Sequence, residues 1–346
     1  MVRRPVPVAA AAAVLMLGLA LVAGCAAAPP SVQAERPAAA GPASDSGAAT
    51  AGGESGRPGA TVVALEFVRA WENVPSAVYY PLDGLAGCMF TDEGTLVVCD
   101  EQRGKVWGLD PGDLQWYEFD VPGVRPYRPV DAVVDGFKVL VLDSGSNAVY
   151  RFDLGGAYRD QVVDLRRVDP TVRTQVSAFA LDRDGRMVVT DVSEQQVLLL
   201  DAFLDLSMRV GGPGAGSDQL RDPSGLAFLP DGSFVVADRA NRRLSVYGRL
   251  GFFERTVGGD FTKDNPFVAP QGLAVDRKGN IFIADMGSGS IHVLDARLRP
   301  TLSAGPDFGL QAMPKVPVDV AVGPGDLLAV TDRARSAILI YRIIYE

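Results

Sequence analysis

Short apolar runs that end in an aspartate recur along most of the chain. The aspartates that close these runs are Asp100, Asp143, Asp191, Asp238, Asp285 and Asp332. Successive aspartates are 43, 48, 47, 47 and 47 residues apart. A glycine stands six or seven residues before each aspartate, and an aliphatic residue stands six residues after it. This spacing predicts six copies of one structural unit.

Each unit predicts a four-stranded antiparallel β-sheet. The glycine marks a turn between the first and second strands, and the aspartate marks a turn between the second and third. The apolar runs are short, rich in β-branched residues and without helical spacing. Four-stranded units of roughly 40 to 50 residues are typical of propeller blades. Residues 61–346 number 286, so the predicted fold is an all-β, six-bladed β-propeller.

The two ends of this region predict how the ring closes. After Asp332 the sequence offers one more clear strand, Ala337–Ile343, so the last blade lacks an outer strand. We expect Thr61–Ala70 to supply it. A strand from the opposite terminus would join the first and last blades and cover edges that otherwise invite aggregation.

Residues 222–247 and 269–295 carry the clearest copies of the unit. Both contain Pro-x-Gly-Leu-Ala, then a glycine turn and an apolar run ending in Ala-Asp, and the first continues with Asn-Arg-Arg-Leu. These motifs resemble the NHL repeat of six-bladed propellers. In blades two and six, Asp131 and Asp319 replace the motif glycine. The resemblance implies the fold but leaves function open, because NHL propellers include binding modules, sensor domains and a few lyases or lactonase-like enzymes.

Residues 1–24 predict an export signal. Two arginines precede an apolar stretch, Val8–Ala23, which is too short and too alanine-rich to span a bilayer comfortably. Leu21 to Cys25 then resemble the bacterial lipobox, which implies cleavage before a lipidated Cys25 and a place in the bacterial cell envelope, outside the cytoplasm. Ala26, in place of an aspartate, favours the outer membrane in a cell that has one. An ordinary secretory signal with an incidental cysteine is the alternative.

Residues 25–60 predict a lipid-anchored disordered tether. Positions 26–60 are mostly Ala, Pro, Gly and Ser and contain no aromatic residue, Leu or Ile, so they cannot form a core. A random coil of this length reaches roughly 30 to 35 Å. The third predicted segment, residues 61–346, is the propeller.

Charge and composition exclude several functions. The chain has 33 Lys plus Arg against 42 Asp plus Glu. Loss of Arg3 and Arg4 with the signal would take the net charge from −9 to −11, which argues against nucleic acid as a partner. The single histidine, His292, excludes any site that needs two imidazoles. It lies in a predicted third strand and is expected at the surface.

The six repeated aspartates have a predicted structural role. They recur at the same turn of every blade, where a carboxylate can accept backbone N–H groups of its own turn. Repetition in every blade is not typical of a catalytic set.

Cys88 and Cys99 lie on the first two predicted strands of blade one. In an antiparallel hairpin the numbers of paired residues have a constant sum, and a turn at Asp92–Thr95 makes that sum 187. Because 88 and 99 also sum to 187, Cys88 and Cys99 would lie directly opposite each other. Directly opposed residues have Cβ separations close to those of a disulfide, and such a pair oxidises outside the cytoplasm. We therefore expect a Cys88–Cys99 disulfide. Two buried free thiols are the alternative.

The loops that join successive blades ring one mouth of the channel and are the predicted ligand-binding face. Aromatic and arginine side chains are frequent anchors of recognition surfaces. The residues chosen for this face are Tyr80, Tyr127, Arg128, Arg221, Gln271 and Lys315. Three acids, Asp83, Asp131 and Asp319, are placed near the same mouth and form a candidate metal site.

Two functions compete. The first is a membrane-anchored, non-catalytic scaffold without a cofactor that binds a protein, peptide or glycan. The second is a lactonase-like or gluconolactonase-like enzyme in which the three acids hold a divalent cation such as Ca²⁺ through oxygen ligands. The Glu and Asn ligands that the lactonase-like pattern also implies cannot be placed at the mouth, which favours the scaffold.

Overall fold

The computed structural model describes residues 60–74, 80–110, 114–121, 123, 127–168, 175–259, 263–306 and 313–346. The predicted signal peptide, Cys25 and the rest of the segment up to position 59 lie outside the described residues. The predicted propeller region therefore accounts for nearly all of the described structure.

The chain enters the fold through β1 (Val62–Trp71), followed by a ribbon of β2 (Asn73–Val74) and β3 (Tyr80–Pro81). Blade 1 contains β4 (Leu85–Phe90), β5 (Leu96–Asp100), β6 (Lys105–Leu109) and β7 (Trp116–Glu118). Blade 2 contains β8 (Pro129–Asp135), β9 (Lys138–Asp143), β10 (Ala148–Asp153) and β11 (Tyr158–Asp164). A four-residue helix, α1 (Leu165–Val168), follows.

Blades 3 to 5 continue the same order. Blade 3 contains β12 (Val176–Leu181), β13 (Met187–Asp191), β14 (Gln196–Leu200) and β15 (Leu206–Gly211). Blade 4 contains β16 (Pro223–Phe228), β17 (Phe234–Asp238), β18 (Arg243–Tyr247) and β19 (Phe253–Gly258), with a 3₁₀ turn at Arg239–Asn241. Blade 5 contains β20 (Pro270–Val275), β21 (Ile281–Asp285), β22 (Ser290–Leu294) and β23 (Pro300–Ala304).

Blade 6 joins the two ends of the propeller. It contains β24 (Pro317–Gly323), β25 (Leu327–Asp332) and β26 (Ala337–Tyr345), and β1 pairs antiparallel with β26 as the outer strand. Val62 and Leu65 of β1 are buried. The innermost strands also contact each other in sequence around the ring, including β24 against β4. The structure confirms the predicted all-β, six-bladed propeller of four-stranded antiparallel blades closed by an N-terminal strand.

The core lies between neighbouring blades. The second and third strands of each blade are almost wholly buried, so their apolar runs face other blades on both sides. In blade 4 the ring of Phe234 stacks on Tyr247 at a centroid distance of 5.2 Å, while Phe253 meets Tyr247 edge to face. Burial on both faces explains why these runs are continuously apolar rather than alternating.

Successive turns of a blade alternate between two faces of the molecule, because neighbouring strands are antiparallel. We call the face with the first-to-second and third-to-fourth turns, such as 182–186 and 201–205 in blade 3, the hairpin face. The opposite face, with the second-to-third turns and the connections between blades, is the mouth face. Most hairpin-face turns between the first two strands contain three residues, the last a glycine with positive φ, such as Gly185 at 80°.

The described chain begins on the hairpin face. The carbonyl of Ala60 accepts a hydrogen bond from Nδ2 of Asn280, in the first turn of blade 5, at 3.2 Å. Thr61 and Glu346 exchange backbone hydrogen bonds at 3.2 and 2.9 Å beside it. No helix within the described ranges is long and apolar enough to cross a membrane.

Candidate functional site

The six repeated aspartates stabilise the turns on the mouth face through hydrogen bonds to backbone N–H groups. All six are fully buried. Asp285 accepts backbone N–H groups from Gly287 and Ser288 in its own turn, each at 3.0 Å. It also accepts those of Val268 and Ala269, which precede the first strand of the blade, at 2.7 and 2.9 Å.

In four other blades the repeated aspartate also accepts a backbone N–H group from the chain that enters the blade. Asp100, Asp143, Asp238 and Asp332 accept the backbone N–H of Asp83, Arg128, Arg221 and Lys315, respectively. In blade 3 the bonds of Asp191 go to its own turn and to Nε2 of Gln196. The structural interpretation of these aspartates therefore agrees with their contacts, which extend beyond the turn that the sequence suggested.

The innermost strands surround a central channel with a volume of about 640 Å³. Apolar side chains, including Phe90 and Phe228, line it toward the hairpin face, and charged side chains line the mouth. Two acids, Asp131 and Asp319, face the channel between these zones.

Asp131 and Asp319 connect neighbouring blades. Oδ2 of Asp131 accepts the N–H of Phe179 in blade 3 at 2.9 Å, and its Oδ1 accepts the N–H of Ala132 at 2.8 Å. Oδ2 of Asp319 accepts the N–H of Cys88 in blade 1 at 2.8 Å, across the closure of the ring. The two acids thus hold blade 2 to blade 3 and blade 6 to blade 1.

Burial makes both channel carboxylates reluctant to ionise. Desolvation raises the pKa of Asp131 above its ordinary value. Desolvation and the negative charge of Asp131 both raise the pKa of Asp319. A glycine beside each acid gives the carboxylate room: a Cβ on Gly87 would lie 2.6 Å from Cα of Asp131, and one on Gly272 would lie 2.5 Å from Cα of Asp319.

The mouth of the channel carries two groups of charged side chains. Glu101 pairs with Arg128 on one side and lies 3.7 Å from Nη2 of Arg333 on the other. Across the channel, Nε of Arg239 donates to Asp222 at 2.7 Å and its Nη1 donates to Oε1 of Gln271 at 2.8 Å. We call Glu101, Arg128, Asp222, Arg239, Gln271 and Arg333 the mouth cluster.

The structure brings together only part of the predicted ligand-binding face. Arg128 and Gln271 belong to the mouth cluster. Arg221 and Lys315 are exposed but do not line the channel. Tyr80 lies in β3.

The prediction for Tyr127 is wrong, because this residue is buried between blades 1 and 2. Its ring lies 6.0 Å from that of Tyr150, and it packs into the same apolar cluster as Tyr117 and Phe119. Burial raises the pKa of Tyr127 far above its ordinary value. Its aromatic surface serves the core rather than a ligand.

The three acids proposed for a metal do not form one site. Asp83 is half exposed, lies 3.9 Å from Nη2 of Arg103 and does not line the channel. The oxygens of Asp131 already accept backbone N–H groups. Among the described residues, no group of three or more His, Cys, Asp or Glu side chains is arranged to hold a metal ion. These residues do not fit the oxygen-rich cage that Ca²⁺ requires.

The prediction of a Cys88–Cys99 disulfide is also wrong in the structure, which contains both as buried free cysteines. Cys88 lies opposite Val98, so paired residues in this part of the hairpin sum to 186. Cys88 therefore packs with Val98 on one side of the sheet, and Cys99 packs with Val97 on the other. Burial is the main cause that raises the pKa of both thiols.

His292 is buried, contrary to the expectation of a surface position. Its Nδ1 lies 2.9 Å from Oγ of Ser303, and its Nε2 lies 3.7 Å from Oδ2 of Asp285. Phe267 meets the imidazole edge to face. Burial lowers the pKa of His292, despite the nearby Asp285, which favours the neutral form of the ring.

Glu101, Arg239 and Arg333 of the mouth cluster were not among the residues predicted from the sequence. Each directly follows a repeated aspartate, and the equivalent positions Ser144 and Val192 also line the channel. A signal was present in the sequence, because the residue after the repeated aspartate is not fixed by the repeat: the six positions are Glu101, Ser144, Val192, Arg239, Met286 and Arg333. A position that varies beside a constant structural residue is not needed for the fold, so its side chain can determine which ligand binds.

Comparison with known proteins supports the fold. Residues 220–247 match the NHL repeat family model. No curated protein matches the chain. Among solved structures, a protein of unknown function from Bacteroides thetaiotaomicron is 16% identical with a TM-score of 0.61, covering 83% of this chain and 75% of that one.

Two enzymes are also similar in structure. A gluconolactonase from Xanthomonas campestris is 16% identical with a TM-score of 0.57, covering 84% of this chain and 99% of that one. Virginiamycin B lyase from Staphylococcus aureus is 12% identical with a TM-score of 0.55, covering 76% of this chain and 81% of that one. At these identities the likeness shows the propeller fold alone.

Proposed function

We propose that this protein is a lipid-anchored, extracytoplasmic propeller that binds a protein or peptide partner at the mouth of its channel without catalysing a reaction. The observation that carries the proposal is the mouth cluster, in which three arginines and two acids surround the opening of a 640 Å³ channel. The arginines are held in place by Glu101, Asp222 and Gln271. Prepositioned guanidinium groups lose little entropy when they bind a carboxylate.

The charge of the mouth cluster favours an acidic segment of the partner. Arg128, Arg239 and Arg333 outnumber Glu101 and Asp222 by one. A partner carboxylate can replace one of these acids and form a two-point contact with a guanidinium group. Arg128 presents half of its side chain to solvent, so it is accessible to such a ligand.

The alternative is a lactonase-like enzyme, favoured by the similarity to a gluconolactonase and by two carboxylates in the channel. The contacts of these acids argue for the scaffold, because both connect neighbouring blades. A lyase that relies on histidine is disfavoured as well, since His292 is packed within blade 5. Hydrolysis of gluconolactone that Asp131→Asn abolishes would contradict the scaffold.

Binding is tested with a fluorescein-labelled hexaglutamate peptide and fluorescence anisotropy. Arg239→Ala and Arg333→Ala are each expected to weaken binding by about tenfold or more, the loss of one charge-assisted contact. Arg249→Ala is the matched control, because this exposed arginine pairs with Asp184 on the hairpin face. Equal binding by all three variants and the wild type would contradict the proposed mouth site.

The anchor is tested separately in cells. Cys25→Ser is expected to move the protein from the membrane fraction to the soluble fraction, because the acyl chains would no longer be attached. Unchanged membrane association would contradict lipidation at this cysteine while leaving the mouth site unaffected.

A further inference from the structure

Four large apolar side chains project from the hairpin face. Phe137 is 81% exposed, Phe203 87%, Leu250 72% and Phe252 65%. Each lies in a turn: Phe137 in the first turn of blade 2, Phe203 in the last turn of blade 3, and Leu250 and Phe252 in the last turn of blade 4. They therefore occupy three consecutive blades. Large apolar side chains that share one face of a monomer make that face a candidate interaction surface.

The chain that leads to Cys25 joins the propeller on this same face. Ala60 is bound to Asn280 in the first turn of blade 5, and β1 starts beside the end of β26. Thirty-five residues separate Cys25 from Thr61. The tether predicted from the sequence would span roughly 30 to 35 Å, so the proposed anchor would keep the hairpin face within reach of the membrane.

From these observations we propose that the hairpin face rests on the lipid bilayer, with Phe137, Phe203, Leu250 and Phe252 inserted at the headgroup level. The proposal rests on the lipid anchor of the proposed function. The anchor makes the contact intramolecular, so even a weak affinity of the face for lipid is sufficient. Phenylalanine and leucine are typical of surfaces that enter the boundary between headgroups and acyl chains.

The contact is apolar rather than electrostatic. Several charges on the face are paired, as in Arg249 with Asp184, Arg186 with Asp182 and Arg299 with Asp295. The contact should therefore change little with salt, because paired charges contribute little attraction to anionic lipids. The orientation also turns the mouth cluster away from the bilayer, where a partner can reach it.

The test uses the lipidated full chain in vesicles of phosphatidylcholine and phosphatidylglycerol. An environment-sensitive fluorophore is attached to Phe203→Cys or, as the matched control, to Glu194→Cys on the mouth face of the same blade. Cys88 and Cys99 are buried and the thiol of Cys25 would be acylated, so labelling of the wild-type chain measures the background. Flotation of the vesicles shows in parallel whether the chain is bound.

Spin-labelled lipid is expected to quench the probe at position 203 several-fold more strongly than the probe at 194, at both low and high salt. Equal quenching of a chain that floats would overturn this orientation alone. A chain that does not float would overturn the anchor and the orientation together.

A second variant separates lipid contact from self-association. Phe203→Ser combined with Leu250→Ser and Phe252→Ser should leave the thermal midpoint unchanged, because these side chains are exposed. In the same chain, quenching at an Asp205→Cys probe in the last turn of blade 3 should fall several-fold. If sedimentation instead shows a dimer that this triple variant converts to a monomer, a second copy covers the face and the lipid contact is wrong.

Discussion

Replacement of Asp285 by alanine should destabilise the propeller strongly. The carboxylate is fully buried and accepts four backbone N–H groups, two from its own turn and two from the chain that enters blade 5. Val268 and Gly287 are exposed residues and Ala269 and Ser288 are partly exposed, so water can replace part of the lost acceptor. The rest of the cost comes from losing hydrogen bonds to a charged, fully buried carboxylate.

A hydrogen bond to a charged group contributes about 1.5 to 3 kcal/mol, so two bonds that water does not replace together cost about 4 kcal/mol. For a chain of this size, each 1 kcal/mol lowers the thermal midpoint by about 2 °C, which predicts a fall of about 8 °C. Asp285→Asn should cost only about 1 to 2 kcal/mol, because one oxygen can keep the bonds of Ala269, Gly287 and Ser288.

The assay is urea and thermal unfolding of the full chain, with Asp295→Ala as the matched control. Asp295 also accepts two backbone N–H groups in blade 5, but its carboxylate is partly exposed, whereas that of Asp285 is fully buried. The control should therefore lose less than about 1 kcal/mol. The reasoning is refuted if Asp285→Ala matches the wild type, or if the asparagine variant is less stable than the alanine variant.

Two other outcomes follow from the buried groups of the channel region. Thiol titration of the lipidated chain, unfolded and unreduced, should find two reactive groups, Cys88 and Cys99, because the thiol of Cys25 would be acylated. Finding none would support the disulfide. Burial raises the native pKa of Asp131 above the ordinary value of 3.8, so the native state holds this proton more tightly than the unfolded state. Its contribution to stability is present at low pH and is lost as the pH rises through the raised native pKa. The thermal midpoint of Asp131→Asn should therefore decline less between pH 4 and pH 7 than that of the wild type, and identical declines would contradict the assignment.

The sequence predicted the blades because one constraint repeats in every unit. The buried aspartate must end the second strand, and the turn glycine must adopt a positive φ, as Gly94 and Gly232 do. These local requirements fix the strand order of each blade. The number of repeats and the missing outer strand of the last blade then fix the closure by β1.

The register of the first hairpin was wrong by one residue for a local reason. The turn closes with the N–H of Thr91 on the carbonyl of Thr95, leaving three residues between them. The sequence suggested an even number of turn residues, which would oppose Cys88 and Cys99. Because side chains alternate along a strand, a shift of one residue moves the two thiols to opposite sides of the sheet.

The candidate site was only partly predictable, because topology identifies a face but not the direction of each side chain. Arg128 and Tyr127 are adjacent in the same loop, yet the arginine lines the mouth and the tyrosine enters the core. Which of two adjacent side chains points to the mouth depends on how the loop enters the strand that follows it. The mouth residues Glu101 and Arg333 meet only when the ring closes, since they belong to blades 1 and 6.

The closure of blade 6 has a consequence for how the protein is made. β1 is synthesised before every other strand, and its partner β26 is synthesised last. If the chain is exported as proposed, β1 would cross the membrane first, and β26 would follow only when the rest of the described chain has been translocated. Ring closure is therefore a contact of nearly maximal sequence separation and should be a slow step of folding. A chain arrested before β26 would retain an unpaired edge however many blades it had completed.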